Sequence, residues 1–111
     1  MTEDEARAAL LARREQLAQE ARISAEGRAP VTLQQDSVGR LSRMDAMQQQ
    51  AMAQAQDRRR KSEAVRIEAA LIRLNEGEWG WCVTCGNEIA ERRLAHDPSV
   101  ATCVACAGGG N

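Results

Sequence analysis

Residues 81–106 read W-C-V-T-C-G-N-E-I-A-E-R-R-L-A-H-D-P-S-V-A-T-C-V-A-C, from Trp81 to Cys106. They hold all 4 cysteines of a 111-residue chain, Cys82, Cys85, Cys103 and Cys106, in the pattern C-x2-C-x17-C-x2-C. Paired thiols at this spacing read as a zinc site. Each C-x-x-C sets two sulfurs on one tight turn, and two such turns complete a tetrahedral four-sulfur shell with Zn–S distances of about 2.3 Å. A closed shell keeps no coordination position for water, so the expected Zn2+ is single and structural and metal catalysis is not expected. Redox use of C-x-x-C calls for a βαβ context, which the flanking residues lack. Disulfide scaffolds belong to small secreted domains. The segment Met1–Arg7 is acidic and has no apolar stretch, so no secretory signal is expected and a cytoplasmic location is. His96 lies between the two pairs and reads as a surface or hydrogen-bonded side chain, because four thiolates already suffice.

Working outward, the composition limits what else the chain can build. Hydrophobic residues make up 43%, but much of that is alanine, and the only aromatics are Trp79 and Trp81. A thick globular core is out of reach. Abundant Ala, Gln, Glu and Arg suit long helices packed as a pair. No run of about 18 apolar residues exists, so no membrane span is expected. With 15 basic and 16 acidic side chains the net charge is -1, which lacks the basic stripe usual in nucleic-acid binders. One histidine, no glycine-rich phosphate loop and no carboxylate pair set for acid–base work argue against an enzyme.

The upstream residues predict two helices. Thr2 and Glu5 read as a capping box opening a first helix from Thr2 to about Glu26, with Leu10 and Leu17 seven apart and Ala6, Ala21 and Ser24 on the same side. Gly27 and Pro30 end it. A tip loop over about 27–36 leads to N-cap candidates Asp36 and Ser37. A second helix runs from about Ser37 to Asn75, weakened near its start by Gly39. Its apolar or small residues fall at 41, 44, 47, 51 and 55, then at 62, 65, 69 and 72, and within each run they step in threes and fours, as a coiled-coil seam does. Ile67, Leu71 and Leu74 add a second stripe near its end, where Asn75 and Gly77 supply a stop. A helix this long is marginal alone and needs the first as an antiparallel partner. The fold class expected is therefore all-α, an antiparallel two-helix coiled-coil hairpin over 1–76 with a small C-terminal four-cysteine zinc finger over 77–107 and a flexible tail at 108–111. Trp79 and Trp81 are expected to pack between the helix end and the finger, and Ile89 and Leu94 to form the finger's own small core. Zinc then supplies much of that knob's folding energy.

The run Cys82, Cys85-Gly86, Glu88-Ile89, Arg92-Arg93-Leu94, Pro98, Cys103 and Cys106 resembles the C4-type zinc finger of the bacterial DksA/TraR family, and the hairpin layout is similar to that family's too. The resemblance implies a transcription regulator that binds RNA polymerase directly. It implies that the coiled-coil tip enters the secondary channel and alters promoter-complex stability, in concert with the alarmone ppGpp, without sequence-specific DNA binding. The family's tip motif is an aspartate, two residues, a second aspartate, one residue and a small residue. In Asp36-Ser37-Val38-Gly39-Arg40-Leu41, Asp36 fits the first place, Gly39 stands at the second acidic place and Leu41 at the small one. Asp45, about two and a half turns on, offers another carboxylate. Asp36 reads equally as a helix cap.

Two other readings stay open. A zinc-ribbon nucleic-acid binder would use Arg92 and Arg93 and the run Arg58-Arg59-Arg60-Lys61, whose blander reading is a solvated helix face. A thiol-based redox or zinc sensor would need exposed cysteines in an electropositive setting, which Arg92 and Arg93 could supply.

Overall fold

A computed structural model describes residues 1–27 and 40–108, which contain four helices: α1 Glu3–Gly27, α2 Arg40–Glu76, α3 Glu91–His96 and α4 Val104–Ala107. Among the described residues there is no named strand, only an isolated antiparallel bridge between Trp81 and Glu88. The loop expected over 27–36, the N-cap candidates Asp36 and Ser37, Gly39, and the tail beyond Gly108 lie outside the described residues, apart from Gly27 itself.

α1 begins as its sequence predicts. The Thr2 amide donates to Glu5 Oε1 (2.9 Å), and the Glu5 amide donates to Thr2 Oγ1 (3.1 Å). This reciprocal box satisfies two backbone donors that the helix start leaves without partners. α2 stops in a Schellman motif: Gly77 takes φ +74°, its amide bonds Leu74 O at 3.3 Å, and the Glu78 amide bonds Arg73 O at 2.8 Å. Glycine is the residue that adopts this φ without strain. With 37 residues α2 spans about 55 Å, and the molecule measures 60 × 32 × 19 Å, an elongated rod on a small base.

The helices pair antiparallel. Arg13 of α1 meets Glu63 of α2, Arg14 meets Glu68, and Arg7 meets Asn75. The core runs through Ala6, Leu10 and Leu17 on α1 and Ile67, Ala70, Leu71 and Leu74 on α2, then into Trp79, Cys82, Ile89 and Leu94 of the base. Ile89 and Leu94 occupy the places expected of them.

The α2 seam differs from the expected one. Val65 is 70% and Ile72 56% exposed, and Met44 and Met47 also face solvent. The stripe read as secondary, Ile67, Leu71 and Leu74, is the one that meets α1. Traced back by the same three-and-four steps it passes Ala64, Arg60, Asp57 and Ala53, all half-buried. Two of those positions are charged, so an apolar count does not find the stripe. Arg60 and Asp57 pair with each other, both largely covered. On α1 the matching seam position between Leu10 and Leu17 is Arg13, whose Nε and Nη2 donate to the two Glu63 carboxylate oxygens at 2.8 and 2.9 Å. Ala21, expected on that side, is exposed, and Ser24 is half-buried.

Candidate metal centre

The base is assembled from short turns. Gly80 O accepts from the Ile89 amide (2.9 Å) and the Cys82 amide donates to Asn87 O (2.8 Å), so residues 80–89 double back in a tight loop. At its bend Cys82 O accepts from the Gly86 amide (2.9 Å), and Gly86 takes φ +77°, conformationally cheap for glycine. This bend aims the sulfurs of Cys82 and Cys85 to one side. The second pair sits at the start of α4: Cys103 is its N-cap residue, Cys103 O accepts from the Ala107 amide at 2.9 Å, and one helical turn brings Cys106 beside Cys103. The Val83 amide donates to Ala101 O (2.9 Å), tying the two halves together.

The loop joining them is held by its own polar groups. Asp97 Oδ1 accepts from the Ser99 amide (3.0 Å) and Ser99 Oγ (2.7 Å), and Ser99 is fully buried. Such a local Asp–Ser turn is what Asp97-Pro98-Ser99 codes for, a signal the cysteine-centred reading passed over. Trp79 is buried and its Nε1 donates to Pro98 O at 3.0 Å. Trp79 therefore packs between helix end and base as expected, whereas Trp81 is 44% exposed and does not. Gly80, at φ +94°, turns the backbone between the two, and only Trp79 is carried into the core.

All four sulfurs lie within 4.8 Å of one another, and Cys85 Sγ is 3.7 Å from Cys103 Sγ. A tetrahedron with arms of about 2.3 Å has edges of about 3.8 Å, so the spacing fits one zinc ion. Electrostatics agree. Backbone hydrogen bonds from Cys103, then from Cys85, lower the Cys82 thiol to about 6. Hydrogen bonding with the neighbouring thiols, Cys103 first, pushes Cys106 up to about 12. Four thiolates this close repel, and without a cation only some can ionise. A dication lets all of them deprotonate, the form in which cysteine ligates. Cys82 is buried, Cys103 and Cys106 half-buried, and Cys85 exposed. His96 is exposed and no part of the cluster.

The other candidates separate. Asp36 lies outside the described residues. Asp45 is exposed on the N-terminal part of α2, far along the rod from the cysteines. Arg92 is exposed. Arg93 is half-buried and its Nε donates to Thr102 O at 2.9 Å, which braces the approach to Cys103. Of the basic run, Arg60 pairs with Asp57, and Arg58, Arg59 and Lys61 are exposed. No described helix is long and apolar enough to cross a membrane.

Residues 77–109 match the family model of the prokaryotic dksA/traR C4-type zinc finger. Among solved structures the chain is similar to the transcription factor DksA2 from Pseudomonas aeruginosa, with 29% identity and a TM-score of 0.70 over 96% of this chain and 80% of that one. No curated protein sequence matches the chain. With four thiols at tetrahedral spacing inside the matched segment, residues 77–109 are a dksA/traR C4-type zinc finger with a site for one structural zinc ion.

Proposed function

We propose that this protein regulates transcription by binding RNA polymerase directly, with Cys82, Cys85, Cys103 and Cys106 holding zinc in the base and the helical rod reaching into the polymerase secondary channel. The observation that carries this reading is the shape: a rod about as narrow as two helices, 60 Å in its long dimension, rising from a metal-clasped base, in a chain that resembles DksA2 along 96% of its length. A pair of helices fits a channel too narrow for a globular domain. A chain of net charge -1 suits a protein partner better than duplex DNA, and Arg93, one of the cations a nucleic-acid binder would use, is engaged internally.

In this reading the acidic residues Asp36 and Asp45 act electrostatically near the polymerase catalytic metal. A carboxylate within a few Å of a divalent ion or its ligands alters the local charge balance. The role of zinc is architectural: it holds the base on which the rod's angle depends.

The test has two parts. Purified zinc-loaded protein is mixed with core RNA polymerase and co-purification is measured; binding at micromolar concentration and moderate salt is expected, and its absence refutes the proposal. Transcription from a stable-RNA promoter is then compared with and without the protein, each with and without ppGpp. Asp36→Asn and Asp45→Asn should weaken the effect while binding persists. An unchanged effect in both variants removes the tip from the mechanism.

A further inference from the structure

α2 carries two stripes, and only one has a partner. Ile67, Leu71 and Leu74 face α1. Roughly on the opposite side of the helix, at steps of four, four, three and four, stand Lys61, Val65, Ala69, Ile72 and Glu76. Val65 and Ile72 are 70% and 56% exposed. β-branched residues are poorer helix formers than the alanine abundant in this chain, and here they add little to the hairpin's packing. The apolar surface continues onto the base, where Trp81 and Val83, 44% and 60% exposed, share a shallow cleft with Arg73 and Glu76.

We infer that this outer face pairs with the same face of a second copy of the chain, antiparallel. Charge selects the occupant. Lys61 ends the stripe on one side and Glu76 on the other, and neither has an ion-pair partner among the described residues. A second α2 laid parallel would set Lys61 against Lys61 and Glu76 against Glu76. Laid antiparallel about a two-fold axis between Glu68 and Ala69, Val65 faces Ile72 of the second copy and Lys61 faces its Glu76. The symmetry makes each contact twice. The same arrangement brings the second copy's base, with its exposed Trp81, alongside the rod and covers apolar surface that the monomer leaves wet. Such a dimer also hides the flank of the rod and so competes with channel entry. That consequence rests on the polymerase reading; the association itself does not.

Sedimentation velocity of the full zinc-loaded chain, from micromolar to submillimolar concentration, tests the pairing without polymerase. A concentration-dependent shift from monomer to dimer that weakens with added salt is expected. Lys61→Glu and Glu76→Lys each turn two attractive contacts into repulsive ones and should each raise the dimer Kd about tenfold. The K61E/E76K double variant restores complementarity and should return Kd close to the starting value. Both side chains are exposed, and circular dichroism confirms that each variant keeps its helices. A chain that stays monomeric throughout overturns the inference, as do single variants with unchanged Kd or a double variant no better than either single. A monomeric chain whose Val65→Asp variant loses polymerase binding assigns the stripe to polymerase instead and equally overturns it.

Discussion

Ile67 and Ile72 stand five residues apart on one helix with the same side chain, yet 1% of Ile67 is exposed against 56% of Ile72. Truncating each to alanine therefore isolates the register of the hairpin. Ile→Ala removes three carbons, worth about 2.5 kcal/mol at about 0.8 kcal/mol per buried CH2. Ile67 is enclosed by the α1 and α2 core, and the space it leaves adds a cavity cost, so Ile67→Ala should destabilise by about 3 kcal/mol. Ile72 is less than half covered and opens no cavity. Its transfer loss is about 1 kcal/mol, and alanine's better helix propensity returns a few tenths. For a chain of this size about 1 kcal/mol moves Tm by about 4–8 °C. Thermal unfolding followed by far-ultraviolet circular dichroism, with zinc saturating and protein dilute enough to be monomeric, should show Ile67→Ala lowered by more than about 10 °C and Ile72→Ala by less than about 5 °C. Comparable losses, or the larger loss at Ile72, would put the 62/65/69/72 stripe back in the hairpin seam and refute the register.

Gly77→Ala meets no atom within 4 Å of the added Cβ, so its cost is the backbone strain at φ +74° alone. A loss of about 1 kcal/mol in chemical denaturation is expected, and an unchanged midpoint would deny the Schellman stop its role. Glu63 is held below the ordinary carboxylate value by hydrogen bonds from Arg13. A depressed carboxyl contributes stability above its unfolded pKa of 4.5 that disappears as pH falls through the folded one. Glu63→Gln should therefore cost about 1 kcal/mol at neutral pH, kept small by solvent screening of the half-exposed Arg13, and should flatten the stability loss below pH 4.5; parallel acid limbs in the two proteins would contradict this. In a Trp81→Phe background Trp79 is the only fluorophore, and stripping zinc with a chelator should red-shift its emission as the base opens. Most of the helical signal should persist, because α1 and α2 hold 25 and 37 residues against 6 and 4 in α3 and α4. Unshifted emission after verified metal loss would mean that the base folds on apolar burial alone.

What could be read from the sequence follows from how local the coding interaction is. The capping box needs only Thr2 and Glu5, three residues apart. The α2 stop needs only Gly77, and the metal centre needs only the spacing of its cysteines. Each of these was legible and stands where expected. The seam is set by residues about fifty positions apart, and its middle is ionic: Arg13 with Glu63, Arg60 with Asp57. A pattern that scores apolar residues sees that stripe as broken at 57 and 60 and prefers the outer one, where Val65, Ala69 and Ile72 stand in step. Ile67, Leu71 and Leu74 were visible, but their precedence over Val65 and Ile72 depends on the partner helix. Trp81 failed in the same way, since nothing local distinguishes it from Trp79. At the metal centre Arg93 looked like a free cation because its acceptor is a backbone carbonyl, which no side-chain pattern reports.

The ionic middle of the seam explains how so thin a structure keeps one register. With few large apolar side chains, the rod has little shape complementarity to resist sliding by a turn or a heptad. Arg13 is planar and reaches Glu63 through two parallel bonds, a geometry that forms in one alignment only. A slip of even one residue displaces the helices by about 1.5 Å and costs both bonds. Glu20 approaches the same guanidinium at 3.4 Å, so an α1 slipped toward the base would also move a like charge toward Glu63. The apolar contacts of Ile67, Leu71 and Leu74 make the base cohesive, and the forked pair makes it unique. Because α2 continues without a break from this pair to Arg40, the alignment chosen beside the zinc finger fixes the height and rotation of the helix end about 35 Å away. Any function performed at that end inherits its geometry from Arg13 and Glu63.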